Sequence, residues 1–162
     1  MQIPVFVSVA AKLNDDQVHI RDKLFSELRH NLNLDPRTVG QSDYPSTSPL
    51  REVLVLARHC AGAVVLGFTE VEATPVGDDT GKVLSLTTPW NQLESGITHA
   101  LGLPMLVFRQ KGVGGGIFDV GASGLFIHEL PSPAEWQARE AGVKEVLMQW
   151  RSLVQQHYYA GE

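Results

Sequence analysis

Glu94 is the residue in this chain best placed to do chemistry. It closes the run Thr88-Pro89-Trp90-Asn91-Gln92-Leu93-Glu94, four residues after an indole, so Trp90 and Glu94 share one face of a helix. A carboxylate beside an aromatic ring, on a helix that leads into a strand, can line a cleft. There it can stabilise developing positive charge or attack it. The spacing puts Glu94 in the first turn, where a glutamate can equally do no more than complement the helix dipole. The other reactive types carry less. His19, His30, His59, His99, His128 and His157 show no paired metal-ligand spacing, and each reads as a solvated side chain. The single cysteine, Cys60, excludes an internal disulfide and a zinc ligand cluster, and reads as a small core residue on an apolar helix face. The run Gly112-Val113-Gly114-Gly115-Gly116 has the composition of a phosphate loop but not its place. It follows the fourth predicted strand rather than the first, and Ile117 stands where a third spaced glycine belongs, so it reads as a flexible connection. No serine sits in a Gly-x-Ser-x-Gly elbow.

The elements that must position Glu94 are legible as an alternation. Residues 4–10 are a short apolar, β-branched run and predict a buried strand ending near Ser8, with Lys12 just beyond. Asn14 caps a predicted helix that runs to about residue 31, with Ile20, Leu24, Phe25, Leu28 and Leu32 inward. Residues 38–40 read as a weak second strand, followed by a polar, turn-rich loop at 41–47. Ser48 and Pro49 open a second helix with Leu50, Val53, Leu54, Ala57 and Cys60 as its core stripe. Residues 62–68 predict a third strand. The aperiodic segment 69–88 reads as an insertion, either a lid or disordered. In the Glu94 helix, Thr88 is the cap, Pro89 the first position, and Leu93, Ile97, Ala100 and Leu101 the expected buried stripe; Gly102 is the stop. A strand follows at 104–108, ending in Arg109, then a fifth at 125–130. A capping box, Ser132-Pro133-Ala134-Glu135, opens a C-terminal helix over 133–157, with Trp136, Val143, Val146, Leu147, Trp150, Leu153 and Val154 inward and a frayed tail from Tyr158.

Strands alternating with helices predict a parallel sheet covered on both faces, in one domain of 162 residues. Such sheets take ligands outside the carboxyl ends of their strands, where strand order reverses. Ser8, Phe68, Arg109, the 41–47 loop and the start of the Trp90 helix all fall near those ends. That convergence, which follows from chain order alone, singles out Glu94. Composition agrees with a soluble globular protein: 43% hydrophobic, 19% charged, and a net charge of -5 that argues against a nucleic-acid surface. No signal peptide and no membrane-spanning run is visible, so no membrane association is expected and a cytoplasmic location is the default.

On these residues the chain resembles the TIR and TIR-like domains, and more distantly the nucleoside deoxyribosyltransferase-like proteins. Val5-Phe6-Val7-Ser8 is similar to the first TIR box. Thr88-Pro89-Trp90-Asn91-Gln92-Leu93-Glu94 is similar to the S-x-W-x-x-x-E segment that carries the catalytic glutamate of TIR NADases. Glu94 through Val107, with Leu103-Pro104 before the strand, also resembles the deoxyribosyltransferase pattern. The likeness covers roughly residues 4–130. The second box, with its arginine-aspartate and proline-glycine, is absent; Ser42-Asp43-Tyr44-Pro45 stands in its place, and the third box is unrecognisable.

The resemblance implies a flavodoxin-like three-layer α/β fold around a five-stranded parallel sheet. It implies an enzyme that cleaves the N-glycosidic bond of NAD, releasing nicotinamide and an ADP-ribose or cyclic ADP-ribose type product. Glu94 is then catalytic. Ser8, Phe68 and Trp90 line the site, and Lys12, Arg51, Arg109 and Lys111 are candidates for the pyrophosphate. NAD is substrate, and no metal or redox cofactor is implied. Homo-oligomerisation, bacterial antiphage signalling and a separate effector protein are family-level expectations. A nucleoside 2-deoxyribosyltransferase or nucleotide N-glycosidase using the same glutamate is the alternative enzyme. A non-catalytic nucleotide-binding or self-associating module is the alternative of another class.

Overall fold

The computed structural model describes residues 1–39 and 48–161. In chain order the elements are β1 (Ile3–Ser8), α1 (Asp15–Ser26) with a π turn over Glu27–Asn31, β2 (Leu34–Arg37), α2 (Pro49–Arg58), β3 (Ala63–Gly67), β4 (Val71–Ala73), β5 (Leu84–Leu86), α3 (Pro89–Ala100), β6 (Met105–Arg109), a 3-10 turn over Gly116–Phe118, β7 (Ile127–Glu129) and α4 (Trp136–Ala160). Five strands form one sheet in the order β2-β1-β3-β6-β7, every pair parallel. This is a flavodoxin-like three-layer α/β fold. No helix among the described residues is long and apolar enough to cross a membrane.

The two-residue period of a strand sorts the core onto two faces. Val5 and Val7 of β1, Val64 and Leu66 of β3, and Leu106 and Phe108 of β6 pack with Ile20, Leu24 and Leu28 of the first helical segment and with Trp136, Val143, Leu147, Trp150 and Val154 of α4. The intervening Phe6 and Ala63 face α2, where they meet Val53, Ala57 and Cys60, with Ile97 and Leu101 of the α3 segment beside them. Val65 and Val107 meet Phe118 on that same side. Each fully buried Phe, Leu or Val contributes about 1.5–3 kcal/mol relative to leaving it exposed, which is why these runs become strands rather than loops.

Several expectations need correction. The second strand lies at Leu34–Arg37, not at 38–40. Leu34 and Pro36 point inward there, and a proline that lacks an N–H is tolerated because β2 is an edge strand. Segment 69–88 is not an aperiodic insertion but carries an antiparallel hairpin, β4 on β5, with Val71 opposite Leu86. Strands this short leave too few residues to show alternation. The glycine run is no loose connection: Val113 is buried, Gly114 N–H donates to Ser85 O (3.1 Å), and Gln92 clamps the loop from α3. Leu50 and Leu153 are about half exposed rather than core, and Leu54 is half-buried; Phe25 and Val146 do pack against the core from its edge. Cys60 lies just past the end of α2, still buried. The Ser132–Glu135 capping box forms, but it closes a turn, and α4 begins at Trp136. That helix continues through Tyr158 to Ala160, where a frayed tail was expected, and the fifth strand shortens to Ile127–Glu129.

Candidate functional site

The largest departure from sequence logic is α3 itself. Thr88 caps it as expected, its hydroxyl accepting from Asn91 N–H (3.0 Å), with Pro89 at the first position and Gly102 ending it at φ 71°. The face it buries, however, is polar: Asn91, Ser95 and Thr98, at helical spacing. Leu93 is 43% exposed and Ala100 is exposed, while Ile97 and Leu101 are half-buried against the α2 cluster. Ile97 and Leu101 of the expected stripe do pack inward, but Leu93 and Ala100 do not, and Ser95 and Thr98 can be buried because they satisfy themselves against the helix backbone. Ser95 Oγ donates to Asn91 O (2.6 Å) and Thr98 Oγ1 to Glu94 O (3.0 Å), so neither needs water. Small, self-bonded side chains let α3 lie close to the sheet.

Glu94 is the sixth residue of α3, one turn further in than its first-turn assignment. Dipole complementation fades beyond the first turn, so it gives no account of this residue. What holds it is β1: Ser8 Oγ donates to Glu94 Oε2 at 2.5 Å. Behind that contact, Asn91 Nδ2 donates to Ser8 Oγ (2.7 Å) and to Ser8 O (3.3 Å). Burial pushes the Glu94 carboxyl above the ordinary glutamate range, and the Ser8 hydroxyl pulls it part of the way back.

In front of Glu94 lies a cleft of about 490 Å³, within the usual range for small-molecule sites. Val9, Ala10, Ala11 and Lys12 wall it from the end of β1, Val39 from beyond β2, Glu70 from beyond β3, and Trp90 with Glu94 from α3. Strand order reverses between β1 and β3, so this is the position where open parallel sheets bind ligands. Apart from Lys12, Glu70 and Glu94 the described lining is largely apolar, a setting that strengthens any charge interaction made there. Val39 and Pro49, on either side of the undescribed residues, also line the cleft; the turn-rich 41–47 loop lies outside the described residues.

The six residues singled out from sequence divide into three groups. Glu94, Trp90 and Lys12 line the cleft. Ser8 is buried behind Glu94 and reaches the cleft only through it. Phe68 and Arg109 are elsewhere. Gly67 faces Phe118 on the α3 side of the sheet, so strand alternation turns the next residue, Phe68, into the core beneath α1. Arg109 spends its guanidinium on the 3-10 turn, Nη1 donating to Phe118 O (2.8 Å). Of the further phosphate candidates, Arg51 is exposed on α2 and Lys111 lines a separate, smaller cleft with Gln17 and Gln110. Sequence reasoning missed Asn91 and Glu70. Asn91 shares a helical stripe with Ser95 and Thr98, but spacing alone does not show that this polar stripe is the buried one; nothing in the sequence marks Glu70. The Cys60 thiol is pushed up to about 11 by burial, which leaves it protonated and unreactive near neutrality. Compared with known proteins, the chain matches no family model, no curated protein and no solved structure.

Proposed function

We propose that this protein cleaves the N-glycosidic bond of a nucleotide, with NAD as the leading substrate and Glu94 as the catalytic carboxylate. The observation that carries this reading is the placement of Glu94: fixed by Ser8 at 2.5 Å, in an apolar-walled cleft at the β1/β3 switch point, with Trp90 on the same wall. In NAD the bond from ribose C1′ to the nicotinamide nitrogen breaks with both electrons going to the ring. That neutralises the pyridinium and leaves positive charge on C1′ and the ring oxygen. An ionised Glu94 stabilises that charge or bonds to C1′; water, or a ring nitrogen of the same molecule, then takes its place with loss of a proton. Trp90 offers a flat face for a base or ring. The TIR-like resemblance supplies the substrate and the role in nucleotide signalling through a separate effector.

One observation favours a second reading. Among the described residues lining the cleft, Lys12 is the only basic one, and Glu70 brings a second carboxylate. A lining so poor in cations suits a nucleoside or mononucleotide better than a pyrophosphate, which is the deoxyribosyltransferase-like alternative. Chromatography of NAD and, separately, of a deoxynucleoside with a second free base, each incubated with the protein, separates the two. Nicotinamide release supports the first reading and base exchange the second. Turnover of neither substrate by the folded protein removes both in favour of a non-catalytic module.

A further inference from the structure

Three side chains form a line from the interior of α3 to the cleft: Asn91, Ser8 and Glu94. Asn91 is 2% exposed and its side chain reaches off the helix to β1, whereas the Ser95 and Thr98 hydroxyls donate to the helix's own carbonyls, Thr98 also approaching Met105 Sδ (3.7 Å). Its Nδ2 forks onto Ser8 O and Ser8 Oγ. That fork fixes the amide, since the flipped orientation would set Oδ1 against the Ser8 carbonyl, acceptor against acceptor. Oδ1 is left buried with no partner among the described residues. An orphaned buried carbonyl oxygen is costly, and an apolar side chain of similar size would avoid it. The asparagine is therefore not explained by packing.

We propose that Asn91 is a positioning residue for Glu94: by presenting N–H to Ser8 Oγ it turns the Ser8 hydroxyl proton onto Glu94 Oε2, so that Oε1 is the carboxyl oxygen left for the substrate. The inference rests on the reading of Glu94 as the reacting group. An acceptor in the place of Nδ2 would draw the Ser8 proton away from Glu94. With the donor there, Ser8 is both held and polarised, and successive hydrogen bonds in such a chain strengthen one another. Glu94 Oε1 has no hydrogen-bond partner among the described residues, while its side chain lines the cleft.

The test needs no substrate, so it fails or succeeds separately from the proposed reaction. The full chain is labelled with carboxyl-13C glutamate, the Glu94 signal assigned by its loss in Glu94→Gln, and its titration followed by NMR in wild type, Asn91→Leu, Ser8→Ala and the double variant. Among the described residues, Lys12 and Glu70 are the other titratable groups of the cleft, Arg51 and Glu52 lie in the first turn of α2, His99 further along α3, and Asp119 is tied to Gly115 N–H. They are the same in all four proteins. Asn91→Leu is expected to raise the Glu94 midpoint by about half a pH unit or more, because the carboxylate form loses an ordered donor that partly offsets burial. In the Ser8→Ala background the same change is expected to do nothing further. An unchanged midpoint in folded Asn91→Leu, or an equal shift with and without Ser8, overturns the proposal. Should Asn91→Leu not fold, Asn91→Asp keeps the size and replaces the donor by an acceptor. It is expected to raise the midpoint further still, and a lowered or unchanged midpoint there overturns the proposal as well.

Discussion

Helices α1 and α3 have the same length and both carry a side-chain N-cap, yet the fully buried stripe is mainly aliphatic in α1 and polar in α3. Asn14 opens α1 with a complete capping box, and Thr88 opens α3 by accepting from Asn91 N–H. Helix α1 and the π turn after it bury Ile20, Leu24 and Leu28 alongside the polar Gln17 and Glu27, whereas α3 buries Asn91, Ser95 and Thr98 and leaves Trp90 and Leu93 nearly half exposed. The difference follows from what each helix lies against. The α1 side of the sheet is a continuous apolar face shared with α4. The start of α3 lies over the end of β1, where Ser8 turns a hydroxyl toward it, and a polar stripe is what can answer that group. An amphipathic pattern reports the neighbour a helix has, and at a site the neighbour is polar.

The comparison can be broken most forcefully by cutting one leucine side chain from each helix. Leu24→Ala removes a residue that is 1% exposed and is expected to cost about 2–5 kcal/mol, whereas Leu93→Ala, on the expected but unburied stripe, is expected to change stability by less than about 0.5 kcal/mol. Denaturant unfolding measures both, and similar losses would mean that α3 does bury Leu93. Glycines sharpen the same contrast at smaller amplitude. Gly116, at φ 58°, has no room for a Cβ because the Gln92 carboxamide fills the space, so Gly116→Ala is expected to destabilise by more than about 1 kcal/mol. Gly96, on the open face of α3, meets nothing, and Gly96→Ala is expected to stabilise by about 0.5–1 kcal/mol. A loss at Gly96 would place an unseen neighbour against that face.

The smallest effect is the one with a sign set by pH. Burial raises the Glu94 carboxyl above its unfolded value, so the folded state holds its proton more tightly than the unfolded chain does. Its contribution to stability is full below the ordinary glutamate range and is lost as pH rises through the higher folded value. Glu94→Gln never ionises. Its melting temperature is therefore expected to exceed that of wild type at pH 7, with the gap closing near pH 4. A gap that widens toward acid would mean that Glu94 is a stabilised carboxylate instead.

The alternation of strands and helices, the N-cap of the site helix and its glycine stop were legible, because each depends on local chain chemistry. So was Glu94 beside Trp90, since four-residue spacing fixes a shared helix face. The hairpin at 71–86 was not, because three-residue strands are too short to show a period. Nor was the inward turn of Phe68, which depends on strand register to a single residue, or the diversion of Arg109 to Phe118 O, which depends on how a glycine-rich loop returns to the sheet. Asn91 was hidden for a different reason. A buried asparagine is explicable only once its partner is known, and Ser8 lies 83 residues away.

Among the described residues two carboxylates line the cleft, Glu94 tied to Ser8 and Glu70 exposed at its rim, and the central claim is that they are not equivalent. Nicotinamide release from NAD by wild type, Glu94→Gln and Glu70→Gln, measured side by side, tests it most directly. The account predicts a loss of about a thousandfold for Glu94→Gln and less than about tenfold for Glu70→Gln. Retained release by Glu94→Gln, or an equal collapse in Glu70→Gln, would contradict it.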